Sequence, residues 1–263
     1  MGIHHIVKSI RHQHICVEHT TVVSITPYEE DIAPLYSVIR DKTVLEIAVG
    51  HHCRLVHIYN SNHIRSYVGI EPFEPWYDSI GQVLESFAQF PYQIHNCDYE
   101  SYTAQTPDVV VCNGLAYHLH SPFHLFEYLA NTNAEYIILE TTQTPGDNPT
   151  WSGANTTHNT MSRIKEEMES SNQSFDDYIM KKSRNSILSH EHINKPGNSI
   201  STQRAIPWRV VGMNPDIKVL AFWCMGYDLD ASLERVNGGY SNKSSVTVYR
   251  FKRVSGNRDP RNL

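Results

Sequence analysis

The segment that decides the fold is Thr43-Val44-Leu45-Glu46-Ile47-Ala48-Val49-Gly50. A short, nearly continuous apolar run that stops at a glycine is typical of a buried strand followed by a tight turn. Ala48 and Gly50 are small, so the backbone there can approach a ligand closely, and the following helix offers unbonded N–H groups. A glycine after a strand often only ends that strand, so this turn leaves both interpretations open.

The same pattern recurs further along the chain. Apolar runs at 67–70, 92–95, 108–112 and 136–139 predict more strands. Helical periodicity separates them, as in 76–87, where large apolar residues recur at i, i+4 and i+7. Strands that alternate with helices predict an α/β fold with a parallel sheet and helices on both faces.

The two ends of the chain differ from this core. A β-rich run at 20–25 and a capping box at 26–29 precede the first helix, so we assign 1–42 to an N-terminal arm and helix. The core domain then spans 43–263. It contains a polar and charged insertion at about 141–210, which is long enough to form a lid. Near the end, 217–225 and 245–251 are both interpreted as β-rich runs.

Composition excludes several classes of protein. The 263 residues carry 22 basic and 28 acidic side chains, a net charge of −6, so no overall cationic field attracts nucleic acid. The five cysteines show no CxxC spacing, which favours reduced thiols in the cytoplasm. No secretory signal is visible, and the longest apolar stretch, at 219–225, is too short to cross a bilayer. We therefore expect a soluble, cytoplasmic protein with no membrane partner.

Carboxylates stand at the ends of three predicted strands, at Glu46, Glu71 and Asp98. Glu71 follows Glu46 by 25 residues, near the position where dinucleotide-binding folds place the acidic residue that holds a ribose diol. Asp98 ends the next strand and can accept from an adenine amine, with Tyr99 against the ring. Two plainer alternatives are a solvated strand end at Glu71 and a helix N-cap at Asp98.

The segments TVLEIAVG (43–50), YVGIEP (67–72), NCDYESY (96–102) and DVVVCNGLAYHLHSP (108–122) resemble, in this order, the successive motifs of class I S-adenosylmethionine-dependent methyltransferases. The last segment is similar to the "GVLYHL…P" sequence of small-molecule methyltransferases and of tRNA wobble-uridine modifying relatives. The resemblance implies a Rossmann-like methyltransferase fold. That fold has a mostly parallel seven-stranded sheet and a C-terminal antiparallel β-hairpin, which nicotinamide enzymes lack.

The resemblance also implies S-adenosyl-L-methionine as cofactor and a set of residues that hold it. The family usually has three glycines in the first turn, and here Ala48 and His52 replace two of them. The bulkier His52 puts the full activity of this turn in doubt. The implied contacts are Glu46, Ala48 and Gly50 around the methionine part, Glu71 with Pro72 at the ribose, Asp98 with Tyr99 at the adenine, and Asn113, Gly114 and Leu115 on the cofactor's other side.

Tyr117 and His118 follow the fourth strand, where family members approach the methyl acceptor. We expect them to be catalytic, with His118 taking a proton or positioning the acceptor, although both could simply pack the helix entry. The chain has 16 histidines, and the pairs His118/His120 and His190/His192 suggest metal ligands. None of these sets has a recognisable metal-site spacing, so no metal is expected.

Four functions remain open at this stage. A small-molecule methyltransferase fits the acidic charge and the insertion, and a tRNA- or nucleoside-modifying methyltransferase fits the "LAYHL" similarity. A nicotinamide-dependent oxidoreductase would require a fuller glycine-rich turn. A non-catalytic binding module is favoured only by the altered turn at Ala48 and His52. The sequence does not determine the acceptor atom or the oligomeric state.

Overall fold

The computed structural model describes residues 27–50, 53–103, 106–119, 122–142, 157–186, 188–192, 208–212, 214–235, 246–254 and 256–259. The predicted β-rich run at 20–25 lies outside these ranges, as do Thr26 of the capping box, His52 and His120.

Seven strands form the main sheet. They are β1 (Thr43–Ile47), β2 (Ser66–Ile70), β3 (Tyr92–His95), β4 (Val109–Cys112), β5 (Tyr136–Thr142), β8 (Tyr227–Arg235) and β9 (Val246–Arg253). Their spatial order is β3-β2-β1-β4-β5-β9-β8. The first five are parallel, whereas β9 runs antiparallel to both β5 and β8. The predicted mostly parallel sheet with a C-terminal antiparallel hairpin is thus confirmed.

Helices cover both faces of this sheet. They are α1 (Pro27–Ile32), the 3₁₀ helix η1 (Ala33–Ile39), α2 (Val56–Ser61), α3 (Glu74–Phe87), the 3₁₀ helix η2 (Ala116–His118), α4 (Pro122–Asn131), α5 (Thr157–Ser171), α6 (Phe175–Ser186) and α7 (Pro215–Cys224). In β1, Val44 packs against η1, α2 and α3, while Leu45 and Ile47 face the core under α4 and α7. The continuous apolar run of this strand is explained by its burial on both faces.

The prediction of a strand at 217–225 was wrong, because this stretch lies in helix α7. The side chain of Asn214 accepts from the backbone N–H of Asp216, and Pro215 occupies the first turn, so the start of the helix is capped. α7 is buried on nearly every side, so its sequence lacks the polar stripe that marks an amphipathic helix. The partner of β9 is instead β8, which begins just after α7.

The region between β5 and α7 has structure of its own. It contains α5 and α6, and two further strands, β6 (Leu188–His192) and β7 (Trp208–Gly212), which pair antiparallel in a separate small sheet. β7 lies against η2 and β5. Part of the predicted insertion therefore borders the end of β4, although its role as a lid remains a prediction. No helix in the described ranges is long and apolar enough to cross a membrane.

Candidate functional site

The order of the strands reverses between β1 and β4. From β1 the chain proceeds outward to β2 and β3, and then returns to place β4 on the other side of β1. In open α/β sheets, ligands bind in the crevice that this reversal leaves at the carboxyl ends of the strands. Most of the predicted cofactor residues directly follow the ends of these strands. They are Ala48 and Gly50 after β1, Glu71 and Pro72 after β2, and Asn113, Gly114 and Leu115 after β4.

The turn after β1 has an unusual backbone. Ala48 has φ +56° and Gly50 has φ +71°, both in the left-handed region. Gly50 suits this conformation, whereas alanine is strained there. Of the described atoms, the one nearest to a Cβ placed on Gly50 would be the Ala48 carbonyl oxygen at 3.8 Å. Among the described residues, the turn therefore leaves space beside its backbone, as the sequence predicts for a ligand-binding turn.

Glu71 connects the end of β2 to this turn. Its Oε2 accepts from the Gly50 N–H at 2.9 Å, and its Oε1 accepts from the Phe73 N–H at 3.0 Å. Burial raises the pKa of Glu71, and these two backbone donors act in the opposite direction. The residue is 2% exposed, so the alternative of a solvated strand end is excluded. The next residue, Pro72, is exposed.

The Glu46 side chain is buried in the core under the first helices. Its Oε2 accepts from the hydroxyls of Tyr59 at 2.9 Å and Tyr67 at 2.8 Å. Burial raises the pKa of Glu46 to about 7, although both hydroxyls and the nearby Arg54 favour its charged form. Sequence reasoning identified Glu46 but missed the two tyrosines. The contact of Glu46 with a cofactor stays a prediction.

Gly69 explains how Tyr67 reaches Glu46. Gly69 lies opposite Glu46 in the pairing of β1 with β2. A Cβ at this position would come within 2.9 Å of the Tyr67 ring and hydroxyl, and within 3.0 Å of Val49 Cγ2. The bare Cα therefore makes room for the tyrosine beside the carboxylate.

Asp98 differs from the other two carboxylates. It is exposed, and its Oδ1 accepts from the Ser101 N–H at 2.8 Å. Hydrogen bonds from Ser101 lower the pKa of Asp98. This is the hydrogen bond of a capping aspartate, which the sequence left as an alternative, but the residues that follow form a turn and not a helix. Tyr99 beside it is half-buried, with its ring edge-on to Tyr128 at 5.2 Å.

The end of β4 carries Asn113, Gly114 and Leu115, the third of which packs against the core. The Asn113 Nδ2 donates to the hydroxyl of the fully buried Tyr36 at 2.7 Å, which ties η1 to this strand end. The Asn113 Oδ1 is buried and has no hydrogen-bond partner in the part of the chain that the structure describes. Gly114 has φ +80°, the left-handed region that favours glycine.

The predicted catalytic pair lies in η2, directly after this turn. Tyr117 is buried and His118 is partly exposed, with their ring centroids 4.4 Å apart. The Tyr117 hydroxyl lies 3.3 Å from the position that a Cβ on Gly114 would occupy. The structure thus brings Tyr117 to the end of β4, and the catalytic role of both residues stays a prediction.

Sequence reasoning missed one carboxylate. Glu140, near the end of β5, is 6% exposed, and burial raises its pKa to about 7. Its Oε1 lies 3.9 Å from the same Cβ position on Gly114. The signal was available, because Glu140 follows the apolar run at 136–139 just as Glu71 follows that at 67–70.

A cavity of about 570 Å³ lies elsewhere, lined by Asp108, Asn133, Glu135 and Arg253. These residues lie at the amino ends of β4 and β5, the edge of the sheet opposite to Glu71 and Glu140. The cavity is therefore separate from the candidate site. No group of three histidine, cysteine or acidic residues suited to a metal ion occurs within the described ranges.

No family model matches the sequence, and no curated protein matches it. Solved structures do match the fold. The N-terminal domain of EvdMO1 with S-adenosylhomocysteine bound has a TM-score of 0.52 and 15% identity, over 88% of this chain and 82% of that one. The 1,6-didemethyltoxoflavin-N1-methyltransferase of Burkholderia thailandensis, with 1,6-didemethyltoxoflavin and S-adenosylhomocysteine bound, has a TM-score of 0.52 and 9% identity, over 87% of this chain and 81% of that one.

The mycolic acid cyclopropane synthase CmaA1, complexed with S-adenosylhomocysteine and CTAB, has a TM-score of 0.53 and 9% identity, over 86% of this chain and 83% of that one. Together these likenesses show that the chain has the Rossmann-like fold of S-adenosylmethionine-dependent methyltransferases. The predicted fold class is confirmed.

Proposed function

We propose that this protein is an S-adenosyl-L-methionine-dependent methyltransferase that acts on a small-molecule acceptor. The observation that carries the proposal is the Glu71 carboxylate, which is held beside the crevice of the sheet by the backbone N–H groups of Gly50 and Phe73. The cofactor would supply an activated methyl group on a sulfonium. The protein would align the acceptor with this group and exclude water.

The geometry of Glu71 fits a ribose diol. A carboxylate oxygen has two lone pairs, and each Glu71 oxygen accepts one backbone N–H. Each oxygen can therefore accept one further hydroxyl proton, which matches the two neighbouring hydroxyls of a ribose. The open space beside Gly50 accommodates close approach of a ligand to the backbone.

The remaining contacts follow from the order of the strands. Asp98 is exposed, so its carboxylate can accept from an adenine amine, and Tyr99 lies beside it. The buried Asn113 Oδ1 can accept from a donor on the ligand. The residues that would surround the cofactor are Glu46, Ala48, Gly50, Glu71, Pro72, Asp98, Tyr99, Asn113, Gly114 and Leu115.

The acceptor side would lie at the end of β4. Tyr117 borders the space above Gly114, and His118 follows it in η2, so either side chain can orient an acceptor or accept its proton. β7 lies against η2, which supports a role for the 141–210 insertion in covering the acceptor.

A small-molecule acceptor is favoured over a nucleoside in tRNA. The net charge of −6 disfavours RNA binding, and the Burkholderia enzyme, which shares the fold, was crystallised with the small molecule 1,6-didemethyltoxoflavin. Cys53 and Cys112 are buried with no disulfide, which fits a cytoplasmic location.

Calorimetric binding of S-adenosylmethionine, S-adenosylhomocysteine and NAD tests the proposal. We expect the first two to bind, and Glu71→Ala to weaken their binding at least tenfold, since each hydrogen bond to a charged group contributes about 1.5–3 kcal/mol. The exposed Glu74, three residues further on, provides a matched control, and Glu74→Ala should bind normally. Binding of NAD but of neither sulfur ligand would overturn the proposal.

The catalytic assignment has a separate test. The protein is incubated with methyl-labelled S-adenosylmethionine and a small-molecule cell extract, and labelled products are identified by mass spectrometry. His118→Ala should lower product formation at least tenfold, as general acid–base groups contribute on the order of 10²–10⁴ in rate. The exposed His124 on α4 is the control. Unchanged product formation by His118→Ala would remove His118 from the mechanism.

A further inference from the structure

Glu140 is buried at the candidate site, and none of the described residues donates a hydrogen bond to its carboxylate. It lies on the face of β5 that also carries Ile138, and this face packs under η1 and α2. Within the described part of the chain, no donor lies within hydrogen-bond distance of its carboxylate, and the residue is 6% exposed. Leaving a buried carboxylate unpaired is costly, so such a group usually has a function outside folding.

The position of Glu140 is set by its neighbour on β4. Leu139 pairs with Cys112, so the residues that follow them, Glu140 and Asn113, lie side by side at the carboxyl edge. Gly114 comes next, and its missing side chain lets the Tyr117 hydroxyl approach its Cα closely. A Cβ there would lie 3.9 Å from Glu140 Oε1 and 3.3 Å from the Tyr117 hydroxyl. Two oxygens from different elements therefore lie near the bare Cα of Gly114, beside the crevice.

We propose that Glu140 is the proton acceptor for the methyl-acceptor molecule, and that this molecule attacks through a hydroxyl oxygen or an amine nitrogen that carries a hydrogen. The inference rests on the proposed methyltransferase function and names the substrate class for that site. It also adds a catalytic residue to the pair that the sequence indicates.

The electron pair on the acceptor oxygen or nitrogen forms the new bond to the methyl carbon. The bond from that carbon to the sulfonium breaks, and its electron pair returns to sulfur as a neutral thioether. The proton of the acceptor atom moves to a Glu140 carboxylate oxygen and from there to solvent. Burial of Glu140 favours this transfer, because an unpaired carboxylate in a largely buried site binds a proton more readily than one in water.

The charge of Glu140 disfavours anionic acceptors. An ionised Glu140 would repel a carboxylate or phosphate oxygen at the reacting position. A thioether or tertiary amine would offer no proton and would leave the carboxylate unpaired. A neutral hydroxyl or amine supplies the hydrogen bond that Glu140 lacks among the described residues.

The test compares Glu140→Gln with Glu135→Gln. Glutamine keeps the size of the side chain but cannot take a proton, and Glu135 precedes the same strand at its opposite end. Both variants are assayed for S-adenosylhomocysteine binding, and for label transfer from methyl-labelled S-adenosylmethionine to a small-molecule extract across a range of pH. Glutamate labelled with ¹³C at its carboxyl carbon reports the titration of Glu140 by NMR without any acceptor.

We expect Glu140→Gln to bind S-adenosylhomocysteine normally but to form at least tenfold less product, with the label on an oxygen or nitrogen that carried hydrogen. Product formation by the unaltered protein should rise with pH through about 7, where Glu140 loses its proton, and the variant should lack this rise. One carboxyl resonance with that midpoint should vanish in Glu140→Gln and persist in Glu135→Gln.

Three results would overturn the inference if the proteins still bind S-adenosylhomocysteine. Glu140→Gln could form as much product as Glu135→Gln, the label could appear on a carboxylate or a thioether, or no extract could yield a labelled product. Failure of the proposed function itself would be distinguished by the absence of S-adenosylmethionine and S-adenosylhomocysteine binding in the unaltered protein.

Discussion

Replacing Glu46 with glutamine should stabilise the protein at alkaline pH. Glu46 is 2% exposed, and burial raises its pKa from 4.5 to about 7. Because its pKa is higher in the folded state than in the unfolded one, protonation of Glu46 favours folding. That contribution is fully present below the unfolded pKa and is lost as the pH rises through 7.

The size of the change in stability follows from the pKa shift of Glu46. Each unit of pKa corresponds to about 1.4 kcal/mol, so the full shift corresponds to roughly 3 kcal/mol. Most of it develops between about pH 5 and about pH 8.5. Over this interval we expect the free energy of unfolding of Glu46→Gln to rise relative to the unaltered protein by about 2.5 kcal/mol. The glutamine carbonyl can still accept from the hydroxyls of Tyr59 and Tyr67.

Urea unfolding at the two pH values measures this difference, with the exposed Glu85 on α3 replaced by glutamine as control. Tyr67→Phe offers a second check. It removes one hydroxyl that favours the ionised form, so the protein should lose stability mainly at the higher pH. If the difference in the free energy of unfolding between Glu46→Gln and the unaltered protein does not change with pH, burial does not raise the pKa of Glu46. Its charge is then stabilised by water or by its hydrogen bonds, and the interpretation of the contacts among Glu46, Tyr59 and Tyr67 is wrong.

Three further predictions concern stability, each checked by urea unfolding. Gly69→Ala should cost about 1–3 kcal/mol, because its Cβ would displace the Tyr67 ring, and an unchanged stability would contradict that packing. Ala48→Gly should stabilise the protein by up to about 1 kcal/mol, because glycine adopts the left-handed backbone of Ala48 without strain, and this gain exceeds the entropy that glycine adds to the unfolded chain. A clear loss of stability would show that the Ala48 backbone is not strained. Asp216→Asn should cost about 1–2 kcal/mol, because it breaks the ion pair with the partly exposed Arg163, and a neutral result would show that solvent replaces the pair.

The sequence predicted the parallel core well, because its signals are local. Strands β1, β2, β4 and β5 are short apolar runs that end at polar or small residues, and burial on both faces requires that composition. It failed at α7, where a helix buried on nearly all sides has the same composition as a buried strand. Length did not separate the two either, since α7 has 10 residues and β8 has 9.

Residue types at strand ends were also predictable, but their environments were not. Glu46, Glu71 and Asp98 look equivalent in sequence, since each lies near the end of a predicted strand. In the structure Glu46 is held by two hydroxyls, Glu71 by two backbone N–H groups, and Asp98 lies in solvent. The tyrosines that reach Glu46 come from β2 and α2, so only the packing of those elements against β1 brings the three residues together.

The buried carboxylates Glu71 and Glu140 differ in their hydrogen-bond donors, and this difference assigns them different roles in the site. Glu71 is held rigid by two backbone donors, which suits a group that must bind a diol without moving. Glu140 receives no such donor from the described residues, so its charge is not stabilised until a ligand brings a hydrogen, and its protonation can respond to the reaction. A carboxylate that was fully satisfied by the protein would be a weaker base. For this reason the carboxylate that lacks protein partners, rather than the ones that have them, is the one we assign to proton transfer.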